Sequence, residues 1–327
     1  MQNKLITGLG IIGLLACATT QASCGSTACS INTNWDEHDI NRPGWRADLR
    51  YSYSRADSLR AGNDTINADT TFAGEVENLS TRNKITTATI DYTHDQHWGV
   101  MLNLPFISRD HAHNLGPYTG ATSAGLENFH ADALGDIKLV GRYRWDIDAD
   151  TRSGMGVKFG LKLNTGKKNF TITETGDIPE EASLQPGNGS TDLILGLFWN
   201  QSTPGSNWSW FAQGMLQNSI SSSAVFEPGN QVNIDAGTRY ALNHNLSVLL
   251  QLNSQWNDAD SGDSAALTDS GAESSGGRIV ALTPGLSYTI ASNTQLYGLV
   301  QVPFYQYVNG EQLTADSSMS AGISHRF

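Results

Sequence analysis

From about residue 45 to the end of the chain, apolar and polar side chains alternate in runs of about ten, the period of strands with one greasy and one wet face. Trp45, Ala47, Leu49, Tyr51 and Tyr53 share one face of the first run, and Arg46, Asp48, Arg50 and Ser52 the other. The pattern returns in Trp98, Val100, Leu102, Leu104 and Phe106, in Leu193, Leu195, Leu197 and Trp199, and in Leu246, Val248, Leu250 and Leu252. Breaks at Gly, Pro, Asn and Asp predict strands over 45–54, 82–92, 98–109, 135–145, 153–165 and 191–200. Six more follow over 207–218, 231–242, 246–256, 277–290, 294–305 and 314–327.

The connections sort into two kinds in strict alternation. Five are short (93–97, 146–152, 201–206, 243–245, 291–293), and the six around them are long (55–81, 110–134, 166–190, 219–230, 257–276, 306–313). A soluble sandwich has no reason to sort its loops this way. An outer-membrane barrel does, with short periplasmic turns and long outer loops. Hydrocarbon cannot satisfy a backbone amide, so a sheet that spans it must close on itself. The expected fold is all-β: a closed antiparallel transmembrane β-barrel of about twelve strands over 45–327, both termini in the periplasm. The last strand puts Met319, Ala321, Ile323, His325 and Phe327 on one face, the spacing of an assembly signal, so barrel-assembly machinery is an expected partner through Phe327. Tryptophans near strand ends, among them Trp45, Trp98, Trp145, Trp199, Trp208 and Trp256, suit interfacial girdles against outer-membrane lipid and lipopolysaccharide.

Met1 to Ala22 carries Lys4, an apolar stretch from Leu5 to Ala16 and the small-residue exit Thr20-Gln21-Ala22. It reads as a secretory signal peptide over 1–22. An alternative is lipoprotein cleavage before Cys17, although Leu15 is bulkier than that site accepts. Either leaves Cys24 and Cys29 in an oxidising compartment, where a small disulfide loop within a periplasmic segment, 23–44, is the simplest expectation. The 327 residues carry a net charge of −12 and only 39% hydrophobic residues, which alone would suit a soluble acidic protein. A membrane barrel looks the same, because only every second strand residue meets lipid. No apolar run reaches the length of a membrane-spanning helix.

If the apolar face meets lipid, the other face lines the lumen. On the early strands it is basic: Arg46, Arg50, Lys138, Arg142, Arg144, Lys158 and Lys162, with Asp48 and Asp91 among them. The opposing wall, Asn233, Asp235, Arg239, Gln251, Asn253 and Gln255, is rich in amides. A wall of one sign in a narrow tube favours anions. The same charges can instead pair across the lumen and hold the barrel shut. The excess acid sits in loops, as at Asp258, Asp260, Asp263, Asp269 and Glu273, with Gly262 where an EF-hand needs a ligand. His111, His113 and His130 share one outer loop and are candidates for a surface metal site that lacks a fourth ligand in a defined frame. No metal, cofactor or nucleic acid is expected.

Leu134-Gly135-Asp136-Ile137 running into Gly141-Arg142-Tyr143, then Val157-Lys158-Phe159-Gly160-Leu161-Lys162-Leu163-Asn164-Thr165-Gly166, resembles the hallmark hairpin of a family of outer-membrane proteins associated with the meta-cleavage pathway of phenol degradation. Asn164 stands where that pattern has a proline. The resemblance implies passive transport of small hydrophobic or aromatic compounds, without a cofactor, and assigns no binding residues. The leading expectation is therefore a transport barrel for small aromatic or anionic solutes. The alternatives are a structural or docking barrel plugged by its N-terminal segment, and an outer-membrane hydrolase. Against the last, Ser324 and His325 are adjacent and fall on opposite faces of a strand.

Overall fold

The computed structural model describes residues 42–67, 77–115, 125–170, 182–223, 226–262 and 275–327. The expected signal peptide, the Cys24–Cys29 pair, nearly all of segment 23–44 and the acidic positions 263–273 lie outside the described residues.

Strands β1 (Gly44–Gly62), β2 (Asp64–Thr65), β3 (Glu77–Thr93), β4 (Trp98–Leu115), β5 (Gly125–Leu134) and β6 (Ile137–Asp148) come first. After them run β7 (Ser153–Leu163), β8 (Thr191–Gln201), β9 (Trp208–Ser221), β10 (Gln231–Ala241), β11 (Leu246–Asn257), β12 (Gly277–Ala291) and β13 (Thr294–Arg326). All pairings are antiparallel, and β13 closes the ring on β1, from Arg46 against Arg326 up to Gly62 against Val308. The Phe327 amide adds the last rung by donating to the Trp45 carbonyl at 2.9 Å. Eleven elements form the ring, with β2 and β5 off it. β13 turns back at Gly310, where φ is +60°, so 294–308 pairs with β12 and 311–326 with β1. The ring therefore has twelve staves, as the period-two pattern predicts.

Side-chain amides and carboxylates close the short turns. Asp95 accepts from the His97 and Trp98 amides at 2.8 and 2.7 Å, and Asn243 from those of Asn245 and Leu246 at 2.9 Å each. Such Asx turns are cheap in residues, which is why this end of the barrel has the short connections.

The outer face explains the composition. Leu197 is 63% exposed, Leu286 54%, Phe304 66% and Met319 55%, far more apolar surface than water tolerates on a monomer. Aromatic side chains gather near the short-turn end, with Trp45 on Tyr92 and Trp98 on Tyr143, each at 4.7 Å.

The structure corrects the sequence reading at the long-loop end. β1, β3 and β4 run several residues past their predicted ends, β5 occupies part of the predicted loop 110–134, and 306–313 is a tight hairpin, not a long loop. There the polarity of the faces inverts. Outward positions turn charged, as Lys84, Asp110, His130 and Asp132, while inward ones form an apolar cluster of Ala56, Leu59, Phe129, Ala131, Leu313 and Ala315. Beyond the bilayer the outside is wet, so these hairpins bury their apolar face inward like a soluble sheet. A rule that sends apolar residues to lipid mistakes them for loops.

Candidate functional site

The inner wall carries the ionisable residues singled out in the sequence and joins them in separate groups. On the β1–β6 side, Asp91 takes Arg46 at 3.1 Å and Arg142 at 2.7 Å, and Arg142 also donates to Thr93 at 2.6 Å. Asp48 accepts the Tyr297 hydroxyl, 3.0 Å from each of its oxygens. The Tyr297 ring reaches it by lying over Gly322, where a Cβ would stand 2.4 Å from the ring. Near the short-turn end Arg144 lies over Gly154 and pairs with Asp146. Arg239 sits on the inward register of β10, toward the same end.

Two parallel relays cross from β6 and β7 to β9. Lys138 donates to Gln217 Oε1 at 2.9 Å, and Gln217 Nε2 donates to Asp192 at 2.6 Å. Lys158 donates to Gln213 Oε1 at 2.9 Å, and Gln213 Nε2 donates to Asp235 at 2.7 Å. Asn253 adds a second donor to Asp235 at 2.7 Å. Each relay thus places a neutral amide between ammonium and carboxylate. Gln213 and Gln217 are four residues apart on one face of β9, and nothing in the sequence alone marked them.

The hairpin that carries the family resemblance forms a junction in the wall. β4 pairs with β6 through 98–103 and with β5 through 106–115, so the wall steps at Gly135-Asp136. The Asp136 carboxylate fills the step, accepting from the amides of Thr165 (3.1 Å), Gly166 (2.8 Å) and Asn188 (3.3 Å) and from Lys162 (3.1 Å). Lys162 is buried and also meets Asp192 at 3.3 Å. Gly166 and Gly187 touch backbone to backbone, since a Cβ on Gly166 would lie 2.6 Å from the Gly187 Cα. The junction holds residues 182–190 across the long-loop mouth. Ser183 accepts from Arg109 at 3.0 Å, and Leu184, fully buried, enters the inward apolar cluster where Phe170 meets Phe129 edge-on.

Below this roof a cavity of 330 Å³ opens at mid-barrel. Arg46, Arg50, Lys138 and Lys158 line part of it, and Met101, Pro105, Val140, Ile194 and Met215 another part. A second cavity of 250 Å³ lies toward the long-loop mouth between Asp192, Phe226, Arg278 and Tyr307, and Gln217 borders both. Period two sends every apolar side chain to lipid, so it does not reveal these inward apolar residues. The mid-barrel cavity reaches the scale of small-ligand pockets, about 300 Å³ and upward, and the outer one falls just short of it.

The histidine grouping does not form between His111 and His130, and the His113 side chain lies outside the described residues. His111 faces inward and bonds Thr81 at 2.8 Å, whereas His130 faces outward between Asp110 (2.7 Å) and Asp132 (3.1 Å). Adjacent positions of paired strands alternate between faces, so the two rings cannot share an ion. Among the described residues no group of three or more His, Cys, Asp or Glu is placed to hold a metal. Outside the apolar band, hydrogen bonding to Asp110 holds the His130 imidazole above its ordinary pKa.

A closed sheet, apolar outside and polar within, defines the class: an outer-membrane β-barrel. Among solved structures the COG4313 outer membrane channel from Pseudomonas putida F1 superposes with a TM-score of 0.65 at 12% identity, over 87% of this chain and 96% of that one. The P. putida toluene transporter TodX gives 0.45 at 12% identity, over 94% and 99%. No curated protein matches the chain in sequence. The chain belongs to the family described as "Putative MetA-pathway of phenol degradation", whose model matches residues 56–313.

Proposed function

We propose that the chain is an outer-membrane conduit for passive uptake of small aromatic or anionic solutes, working without a cofactor and without catalysis. One observation carries this reading: two cavities abut at Gln217 inside a sealed barrel, beneath a roof of loop residues. Solutes arrive at the long-loop mouth, pass Leu184 and the apolar cluster, and cross the Lys138 and Lys158 level. In this account the long loops face outward, both termini lie in the periplasm after removal of 1–22, and the Cys24–Cys29 disulfide closes a small periplasmic loop. Lipid and lipopolysaccharide surround the barrel, and assembly machinery recognises Phe327.

Planar-bilayer recordings of the purified chain test it. Ion or solute conductance above that of empty bilayers supports the conduit, and none overturns it. Arg142 and Arg144 already have carboxylate partners, so the relay lysines, which line the mid-barrel cavity, are the residues to change. Lys138→Gln with Lys158→Gln should shift the reversal potential toward cations. Unchanged potentials remove the selective role of that wall.

The alternative, a docking barrel with an N-terminal plug, draws support from how fully the inner charges are bonded. Deletion of residues 24–41 separates the two: a large rise in conductance favours the plug, and an unchanged one the open conduit.

A further inference from the structure

The mid-barrel cavity is two-sided, and the two sides ask for different parts of one molecule. The carboxylates that border it are engaged. Asp48 holds the Tyr297 hydroxyl, and Asp136 holds three backbone amides and Lys162. Arg46 is paired with Asp91. Lys138 differs, because its hydrogen-bond partner is a neutral amide, Gln217, and among the described residues it forms no ion pair. An ammonium has three donors, so Lys138 brings positive charge and further N–H directions to the cavity, with the Asp136 and Asp192 carboxylates near enough to act on its charge but not in direct ion pairs with it. Lys158 donates to the amide oxygen of Gln213 and lies over the Phe198 ring. The other side is apolar: Val140 and Ile194 are buried on the inner wall, and Met101 and Met215 add polarisable thioethers that adapt to flat or irregular shapes.

Building on the conduit reading, we propose that this cavity is a binding site for small monocarboxylates with an apolar body, such as an aromatic acid. Lys138 takes the carboxylate, Lys158 adds to the field, and Met101, Val140, Ile194 and Met215 take the body. A single negative charge fits better than two, because one ammonium supplies the donors while Asp48 and Asp136 in the lining repel further negative charge. A wholly apolar solute would leave the lysine without a partner, and a wholly polar one would waste the thioether wall. Charge-assisted hydrogen bonds at a partly desolvated site are stronger than neutral ones, so the carboxylate should contribute much of the affinity.

Equilibrium dialysis with radiolabelled benzoate, using the full mature chain in lipid vesicles against empty vesicles, tests the site. Benzoate should bind saturably, one per barrel, with acetate and benzyl alcohol each at least about tenfold weaker. Lys138→Met should weaken benzoate by about tenfold or more and leave benzyl alcohol unchanged. Ile194→Asn should weaken benzoate and leave acetate unchanged. Lys138→Gln serves as a second, more conservative variant, and heat-shifted gel mobility confirms that each variant is a folded barrel. Unsaturable benzoate uptake, acetate binding equal to benzoate, or unaltered affinity in both Lys138 variants would each overturn the site. Flux in the same vesicles separates this claim from the conduit. Saturable binding without flux keeps the site and removes the conduit, whereas flux without saturable binding removes the site and keeps the conduit.

Discussion

Replacing Asp136 by alanine should loosen the roof of the lumen while leaving the barrel intact. The carboxylate is 8% exposed and accepts from the Thr165 and Gly166 amides at 3.1 and 2.8 Å, and from Asn188 at a longer 3.3 Å. The two well-made bonds to a charged acceptor are worth about 1.5–2 kcal/mol each, so the junction loses about 3–4 kcal/mol. Lys162 keeps Asp192 and Ser190 as partners, which limits the cost of its lost bond. At about 1.4 kcal/mol per tenfold, amide exchange at Thr165 and Gly166 should accelerate by about 140- to 700-fold, with strand amides such as those of Leu195 and Leu250 unaffected. Hydrogen exchange read by mass spectrometry on the reconstituted protein measures this directly. Asp136→Asn keeps one acceptor oxygen and should fall between the two. Unchanged exchange at 165–166 would refute the junction as the anchor, and equal acceleration in every strand would show that Asp136 supports the whole barrel instead.

Two further outcomes follow from the same geometry. Tyr297→Phe removes the donor to Asp48 and should lower the urea stability of the vesicle-bound barrel by about 1–3 kcal/mol, and Gly322→Val, which displaces the ring and so loses the same hydrogen bond, should cost less in the Tyr297→Phe background than alone by about that amount; full additivity would show that the two do not act through one contact. His130 is raised by its hydrogen bond to Asp110, while Asp110 is lowered because its bonds to His130 and Lys84 outweigh its burial. The pair therefore stabilises fully at pH values between the two titrations. It weakens as pH rises through the raised His130 value, above 6.5, or falls through the lowered Asp110 value, below 3.8. NMR titration of the His130 ring should give a midpoint above 6.5 that drops in Asp110→Asn, and an unmoved midpoint would discard the pairing.

The strands were legible because, within the bilayer, one solvent rule governs every outward position, and Leu193 to Trp199 or Leu246 to Leu252 obey it without exception. Legibility ended where that rule ends. Leu59, Phe129 and Leu313 are apolar and inward because the water there is outside, so the phase of the pattern no longer says which side is which. Val140 and Ile194 escaped for a related reason, since an inner wall that receives an apolar body breaks the expected polarity. The basic residues were readable as a set, but their partners were not. Arg142 finds Asp91 across 51 positions and Asp136 meets Asn188 across 52, distances that only the folded wall brings together. Gly135-Asp136 and Thr165-Gly166 were recognisable as a motif, while the reason for them, a carboxylate filling a step in the sheet against Gly187, became visible only in three dimensions.

Closure of the barrel is the claim on which the rest depends, and the seam between β1 and β13 tests it most directly. The hydroxyls of Ser52 and Ser320 lie 2.7 Å apart across that seam, 268 residues distant in sequence. Ser52→Cys with Ser320→Cys, oxidised in intact outer membranes, should yield a tryptic peptide linking positions 52 and 320 in most of the inserted protein. Inserted protein in which both thiols stay free and react independently with a membrane-impermeant reagent would contradict a sealed barrel.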